Sequence, residues 1–213
     1  MAGKRVLIVK FGGSSIASAD LGRWVAAIER ARDPLVIVPG GGPFAKAVRQ
    51  YQSRMGYGAE AAHRMALLGM EQFGHALVSL GTRLRPAATL EEIRRVQEEG
   101  LVPVWMPTVM ALGAAEIAEG WDTNSDTLAA WLAGHIPGAS LCLLKQIDVP
   151  PGTGIASVVA AGMVPPAFED ILGCETEVHI AGPSDLAVAG KRLSEGGVPG
   201  RALQRSRFVE AAQ

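Results

Sequence analysis

This sequence has few cysteines, almost no net charge and no long apolar run. Its 2 cysteines, Cys142 and Cys174, lack the spacing of a metal site and are typical of reduced thiols. The net charge is −1, and the absence of a basic block argues against binding to nucleic acid or to an anionic membrane surface. The first apolar stretch, residues 6–9, is too short for the core of a signal peptide. We therefore expect a cytoplasmic location.

Internal repeats, low-complexity tracts and long linkers are also missing from the 213 residues. Apolar residues make up 48% of the chain and charged residues 19%, which is typical of a packed globular protein and not of a disordered one. The length is near the upper end of one ordinary domain. We therefore expect a single domain over residues 1–213.

Short runs of Val, Ile and Leu alternate with longer helical patterns along the chain. The predicted strands are residues 6–9, 35–38, 102–105, 141–144 and 178–181. The predicted helices are residues 20–32, 44–54, 59–80, 90–99, 125–133 and 185–193. Buried parallel strands joined by crossover helices have this pattern. The sequence therefore predicts the α/β class, as a three-layer α/β/α sandwich with a mostly parallel central sheet.

A glycine turn that begins with a lysine follows the first predicted strand. Lys10 precedes Gly12, Gly13 and Ser14. Glycines allow the backbone to approach a phosphate closely, and a lysine supplies a mobile cation for phosphoryl oxygens. The alternative is a tight turn with a surface lysine.

A second glycine turn follows the next strand, where Gly40, Gly41 and Gly42 precede Pro43. Three successive glycines favour a cluster of N–H donors, and proline suits the first helical turn because it donates no hydrogen bond. The G-x-G-x-x-A spacing that ends at Ala45 is weak evidence for dinucleotide binding, because it follows the second strand. The Walker lysine motif is missing, which argues against P-loop chemistry.

A third motif predicts the start of a capped helix. Asn124 or Ser125 is a suitable cap, and Asp126 lies in the first helical turn. If Asp126 meets Lys10, the carboxylate would keep the ammonium group charged and oriented.

Together and in this order, the three motifs resemble the amino acid kinase superfamily over residues 6–148. The resemblance implies an ATP-dependent phosphotransferase with an acceptor-binding part at about 1–120 and a nucleotide-binding part at about 121–213. The implied catalytic residues are Lys10, Asp126 and Lys145. The implied ATP-binding residues are Lys10, Gly12, Gly13, Ser14, Ser125, Asp126, Lys145 and Asp148. The implied substrate-binding residues are Gly40, Gly41, Gly42, Phe44, Arg49, His63, Asp122 and Asn124.

The nucleotide-binding part departs from the superfamily's pattern after Lys145. The superfamily usually continues with Asp-Gly, whereas this chain has Val149 and Pro150 after Asp148. Purine contacts are therefore not predicted. Few carboxylates follow the glycine turns, so we expect Mg²⁺ to be held mainly by ATP and water and not by protein ligands.

Within the superfamily, residues 61–72, Arg49 and residues 179–192 resemble the kinases of methanofuran-type coenzyme synthesis. That resemblance implies the acceptor (5-(aminomethyl)furan-3-yl)methyl phosphate and a diphosphate product. Such an acceptor needs a cation for its phosphate and a carboxylate for its amine, for which Asp122 and Glu60 are candidates. His63 would donate to the substrate phosphate when protonated, although a histidine on an apolar helical face is also typical of a packed core residue.

Two other functions stay open. The first is a kinase for another small acid or for a nucleoside monophosphate. The second is a non-catalytic protein that stores an oxyanion or senses ATP, because molybdenum storage proteins resemble the same superfamily. Helices with apolar faces predict a homo-oligomer. The resemblance to the superfamily implies the same, because its members commonly form homo-oligomers.

Overall fold

The computed structural model describes residues 5–205, in which seven strands form one sheet. The strands are β1 Leu7–Phe11, β2 Leu35–Val38, β3 Leu84–Ala87, β4 Val102–Trp105, β5 Ser140–Leu144, β6 Val178–Ala181 and β7 Arg201–Ala202. Their order across the sheet is β3-β4-β2-β1-β5-β6-β7. Each pair is parallel except β6 and β7. The ends of the domain predicted over residues 1–213, residues 1–4 and 206–213, lie outside the described residues.

Nine α-helices connect and cover the strands within the described part of the chain. They are α1 Leu21–Ile28, α2 Gly42–Met55, α3 Ala59–Leu80, α4 Leu90–Glu98, α5 Thr108–Ala111, α6 Ser125–Gly134, α7 Ile155–Ala160, α8 Ala167–Ile171 and α9 Leu186–Ser194. Short 3₁₀ turns occupy Gly13–Ala17 and Pro183–Asp185. No helix within residues 5–205 is long and apolar enough to cross a membrane.

The sheet is buried on both faces, which explains its continuous apolar strands. Side chains alternate along β1, so that Leu7, Val9 and Phe11 pack with α1 and α9 on one face. Ile8 packs on the opposite face with α4, α6, α7 and α8. Helix α3 contributes to both cores through its two halves. The α/β class and the mostly parallel sheet are therefore confirmed.

All five predicted strands and all six predicted helices are present, with ends that shift by at most four residues. Strand β3 was not predicted, because Arg85 and Pro86 interrupt its apolar pattern. It lies at the sheet edge, where proline is tolerated because one side of the strand needs no partner. Strand β7 and helices α5, α7 and α8 were also missed. Cys142 and Cys174 are free thiols, the first buried and the second exposed.

Candidate active site

The two predicted glycine turns meet at the carboxyl edge of the sheet. Strands β1 and β2 are parallel neighbours with Lys10 opposite Val38, so the turns that follow them begin side by side. A Cβ atom added to Gly13 would lie 2.4 Å from the backbone nitrogen of Gly42, and one added to Gly40 would lie 2.4 Å from the nitrogen of Gly13. Only glycine permits this contact between the two backbones.

Helix α2 starts from the second turn and presents its N-terminus there. Gly42 has φ of 51°, in the left-handed region that favours glycine, and Pro43 occupies the first helical turn. The cap residue is Gly41, which has no side chain that could accept the first backbone N–H groups. These donors are therefore available to an anion, which the positive end of the helix dipole also favours.

Beside the turns, a single carboxylate joins two lysines. The Lys10 ammonium lies 2.8 Å from Oδ1 of Asp126, and the Lys145 ammonium lies 2.9 Å from Oδ2. Lys145 also donates a hydrogen bond of 2.5 Å to the carbonyl of Met163. The side chains of Lys10 and Asp126 are each 5% exposed, and that of Lys145 is 14% exposed. Residues from β1, α6 and the end of β5 thus form one buried charged cluster.

The pKa values of this cluster reflect burial and mutual charge. Burial alone would raise the pKa of Asp126, but the charges and hydrogen bonds of Lys10 and Lys145 together hold it below its ordinary value. Burial, followed by repulsion from Lys10, lowers the pKa of Lys145 against the attraction of Asp126. The carboxylate is therefore ionised at neutral pH.

Asn124 fixes the position of Asp126 by capping α6. Its side-chain oxygen accepts hydrogen bonds from the backbone N–H groups of Asp126 at 2.8 Å and of Thr127 at 3.3 Å. The predicted N-cap of α6 is therefore present, and Asn124 is the capping residue. Because the cap bonds the Asp126 backbone directly, it helps to aim that carboxylate at the two lysines.

A cavity of about 640 Å³ opens next to the cluster and the turns. Its lining comes from both glycine turns, α2, α3 and the segment before α6: Gly13, Ser14, Gly41, Gly42, Pro43, Ala45, Lys46, Arg49, His63, Ala66, Leu67, Met70, Trp121, Thr123, Asn124, Ser125 and Leu128. Lys10 lies three residues before Gly13 and Asp126 directly follows Ser125, so the charged cluster adjoins this cavity.

The titratable side chains that line this cavity are all basic. Lys46, Arg49 and His63 contribute to its lining, and none of the described lining residues is acidic. Burial lowers the pKa of His63, while the negative charge of Glu119 opposes this shift. His63 is therefore neutral at pH 7 without a ligand, and an anion in the cavity would favour its protonated form.

The structure distributes the sequence-predicted site residues over three places. Gly13, Ser14, Gly41, Gly42, Arg49, His63, Asn124 and Ser125 line the cavity. Lys10, Asp126 and Lys145 form the charged cluster. Gly12, Gly40, Phe44, Asp122 and Asp148 lie outside the cavity lining.

Two of the residues outside the lining have other contacts. Oδ1 of Asp148 accepts hydrogen bonds from the backbone and the hydroxyl of Ser184, at 3.1 and 2.8 Å. A Cβ added to Gly69 of α3 would lie 3.2 Å from the Cβ of Phe44, so Phe44 packs against α3. Asp122 and Glu60, the two candidates for binding an amine, are exposed and do not line the cavity.

Lys46 and Trp121 are among the residues of the cavity lining that sequence reasoning missed. Lys46 lies one helical turn after Gly42, and this spacing is a signal that could have been used. Trp121 belongs to the third motif but was given no role. Its contacts come from α2, which is about 70 residues away in the chain.

Comparisons with known proteins identify the family and the fold. Residues 5–149 match the model of the amino acid kinase family. The [5-(aminomethyl)furan-3-yl]methyl phosphate kinase of Methanocaldococcus jannaschii is 24% identical over 143 residues, which are 66% of this chain. The matched part is also 66% of the relative, just under two thirds of its length.

Two solved structures share the fold. The uridylate kinase from Archaeoglobus fulgidus superposes with a TM-score of 0.67 at 13% identity, over 93% of this chain and 99% of the other. An isopentenyl phosphate kinase superposes with a TM-score of 0.59 at 17% identity, over 93% of this chain and 100% of the other.

A parallel sheet with two touching glycine turns and a buried lysine pair at its carboxyl edge defines an α/β protein with a candidate anion-binding site at that edge. The chain belongs to the amino acid kinase family, because the family model covers more than half of its residues.

Proposed function

We propose that the protein transfers the γ-phosphoryl group of ATP to the phosphate group of a small acceptor, producing a diphosphate and ADP. The observation that carries this proposal is the position of the Lys10–Asp126–Lys145 cluster. It adjoins both a double glycine turn and a cavity whose charged lining is entirely basic. An anionic acceptor and an anionic donor can meet there without facing a free carboxylate.

In this proposal the two lysines neutralise charge during the transfer. An ionised oxygen of the acceptor phosphate attacks the γ-phosphorus, and the bond to the ADP oxygen breaks. Lys10 and Lys145 would stabilise the transferring group, while Asp126 holds both ammonium groups in place. A general base is not required, because the attacking oxygen is already ionised.

The residues at the first turn fit the phosphates of ATP. Gly12, Gly13 and Ser14 would hold them by backbone N–H groups, in a turn too tight for a side chain at Gly13. Residues 5–205 contain no group of three or more His, Cys, Asp or Glu residues suited to a metal. We therefore propose that Mg²⁺ is held mainly by ATP and water.

The proposed acceptor is (5-(aminomethyl)furan-3-yl)methyl phosphate, which places the protein in methanofuran-type coenzyme synthesis. The similarity to the Methanocaldococcus jannaschii kinase of this phosphate supports the choice, and so does the basic lining formed by Lys46, Arg49 and His63. We propose that Gly40, Gly41 and Gly42 face the acceptor phosphate. The amine of this acceptor has no carboxylate partner among the described lining residues, so we expect it to contact water or neutral groups.

A panel of acceptors assayed with ATP tests this function. The panel contains the furan phosphate, isopentenyl phosphate, UMP and carboxylate acceptors, and ADP release is measured for each. We expect the highest kcat/KM with the furan phosphate. A preference for UMP or for a carboxylic acid would replace the proposed acceptor. Failure of every acceptor to stimulate ADP release, together with bound oxyanion, would favour a storage protein instead.

A further inference from the structure

Trp121 occupies a different environment from the other tryptophans. Trp24, Trp105 and Trp131 are buried in the two cores at 4%, 0% and 6% exposure. Trp121 is half-buried, lies in the segment before α6 and lines the large cavity. Its indole N–H donates a hydrogen bond of 2.7 Å to Oε1 of Gln52 on α2. This bond joins the segment that leads to Asp126 with the helix that starts at the second glycine turn.

The amide of Gln52 is oriented by a second hydrogen bond. Its Nε2 donates to the carbonyl of Tyr57 at 3.4 Å, and the hydroxyl of Tyr57 donates to the carbonyl of Val48. Because the nitrogen side of the amide is used by Tyr57, the oxygen side faces Trp121. The end of α2 therefore provides an ordered acceptor for the indole.

Above the same indole lies the guanidinium of Arg49. Its Cζ is 5.5 Å from the ring centroid, which is within the range of a cation–π interaction. Arg49 precedes Gln52 by three residues, so both side chains leave the same face of α2. Within residues 5–205, Arg49 forms no ion pair with a carboxylate. The ring thus orients a cation at the cavity whose charge is not neutralised by an acid.

Trp121 also separates the large cavity from a small void between α2 and α3. This void has a volume of about 30 Å³, and its lining consists of Gln52, Ala59, Ala62, His63, Ala66, Gly120 and Trp121. His63, Ala66 and Trp121 line both spaces. Alanine and glycine leave space behind the indole, so the ring itself forms the end wall of the cavity.

We propose that Trp121 is a positioning and specificity-determining residue of the acceptor pocket. Held by Gln52, the indole keeps Arg49 over the cavity for the anionic group of the acceptor, and the same ring limits the length of acceptor that fits. The inference rests on the proposed function, since it assigns the large cavity to the acceptor.

Steady-state kinetics with separate variants test the positioning role. Gln52→Leu keeps the ring but removes its hydrogen-bond acceptor, Trp121→Phe keeps a ring without the N–H, and Trp121→Ala removes the ring. We expect the acceptor KM to rise roughly 3–10-fold in Gln52→Leu and further in Trp121→Ala, because a hydrogen bond and a cation–π contact are lost. Trp121→Phe should be the mildest Trp121 variant. The KM for ATP should change less than about 2-fold, since these residues lie on the acceptor side.

The matched control is Trp24→Phe, which changes a buried tryptophan in the core that α1 and α9 form on one face of the sheet. It should leave the acceptor KM unchanged. If Trp121→Ala does not fold, as judged by thermal melting, Gln52→Leu decides the positioning role. An unchanged acceptor KM in Gln52→Leu, or equal increases for acceptor and ATP, would overturn it.

Acceptors of different length test whether the Trp121 indole forms the end wall of the cavity. Removing the indole joins the cavity to the void behind it, so Trp121→Ala should shift the kcat/KM ratio of UMP to the furan phosphate by about 10-fold toward UMP. An unchanged kcat/KM ratio in Trp121→Ala would contradict the proposal that the indole limits acceptor length.

A binding measurement separates this inference from the proposed function. Titration with inorganic pyrophosphate should change tryptophan fluorescence in the wild type and in Trp24→Phe, but not in Trp121→Phe. If the wild type phosphorylates no acceptor of the panel, the proposed function fails, and this titration still decides the role of Trp121. The same signal in Trp121→Phe as in the wild type, or no signal in the wild type, would contradict the inference.

Discussion

Two lysines share one carboxylate in the buried cluster at the sheet edge. When Lys10, Lys145 and Asp126 are all ionised, the cluster carries one positive charge that no described ion pair compensates. A buried charge of this kind is costly unless a partner arrives. A phosphoryl group is such a partner, and this explains how a stable fold retains two lysines that are mostly shielded from water.

Lys10→Met should reduce kcat about 10²–10³-fold, because it removes a preorganised cation from the transferring group. Lys145 still pairs with Asp126 in this variant, so the fold should persist. ADP release and thermal melting measure the two effects. Lys191→Met is the control, since Lys191 is 76% exposed on α9. Full activity in Lys10→Met would refute the role proposed for this lysine.

His63 makes stability depend on pH between neutral and acidic conditions. Burial lowers the pKa of folded His63 below its ordinary value of 6.5, so the unfolded chain binds the proton more readily. This contribution to stability is complete above pH 6.5, and it is lost as the pH falls from 6.5 to the lowered pKa. His63→Gln should therefore remove part of the acid-dependent loss of unfolding free energy.

Urea unfolding of the wild type and His63→Gln at pH 7.5 and pH 5.5 measures this difference. His75→Gln serves as the control, because His75 is exposed on the same helix. Parallel pH profiles for all three proteins would show that His63 does not titrate differently on folding.

At the scale of the element, α6 carries Asp126 in its first turn and depends on its cap. Asn124→Ala removes hydrogen bonds to two backbone N–H groups, which should cost about 1 kcal/mol of stability. We also expect kcat to fall, since the Asp126 backbone is no longer fixed. Thr89→Ala is a matched control, because Thr89 caps α4 by accepting from Glu92 N–H at 3.1 Å. Thr89→Ala should lower the free energy of unfolding by a similar amount without lowering kcat. Equal kcat values in Asn124→Ala and Thr89→Ala would show that the cap of α6 does not contribute to activity.

The helices and strands with a strong hydrophobic period could be predicted from the sequence, and those without one could not. Helix α3 was predicted with its observed bounds, because 22 residues repeat an apolar face. Strand β3 contains a proline and an arginine, and β7 has only two residues, so neither forms a continuous apolar run. Helices α5, α7 and α8 are short and follow Pro107, Gly154 and Pro166, residues that favour turns.

The candidate site followed the same rule. The meeting of the two glycine turns could be expected, because turns after neighbouring parallel strands meet at one edge. The contact of Lys10 with Asp126 was implied by the resemblance to the amino acid kinase superfamily. The bond from Lys145 to the other oxygen of Asp126 and the contact of Trp121 with Gln52 depend on packing between distant segments. No local pattern in the sequence encodes such distances.

At the scale of the whole molecule, β1 lies in the middle of the sheet, between the proposed acceptor-binding and nucleotide-binding regions. Strand β2 and helices α2 and α3 surround the cavity on one side, while β5 brings Lys145 to the other side. Lys10 lies near the carboxyl end of this central strand and can therefore face ligands from both proposed regions. This arrangement supports the proposed division into an acceptor part and a nucleotide part.

If the two regions are separate, nucleotide and acceptor bind together and their effects on stability add. A non-hydrolysable ATP analogue and the preferred acceptor, each at about 100 times its Kd, should each stabilise the fold by about 2.7 kcal/mol. For a chain of this size, each should raise Tm by roughly 5–10 °C, and both together by nearly the sum. Differential scanning fluorimetry measures these shifts. Trp121→Ala should reduce the shift caused by the acceptor and leave that of the nucleotide analogue intact. If the second ligand adds no further rise in the wild type, the ligands compete for one pocket, and the division at β1 is wrong.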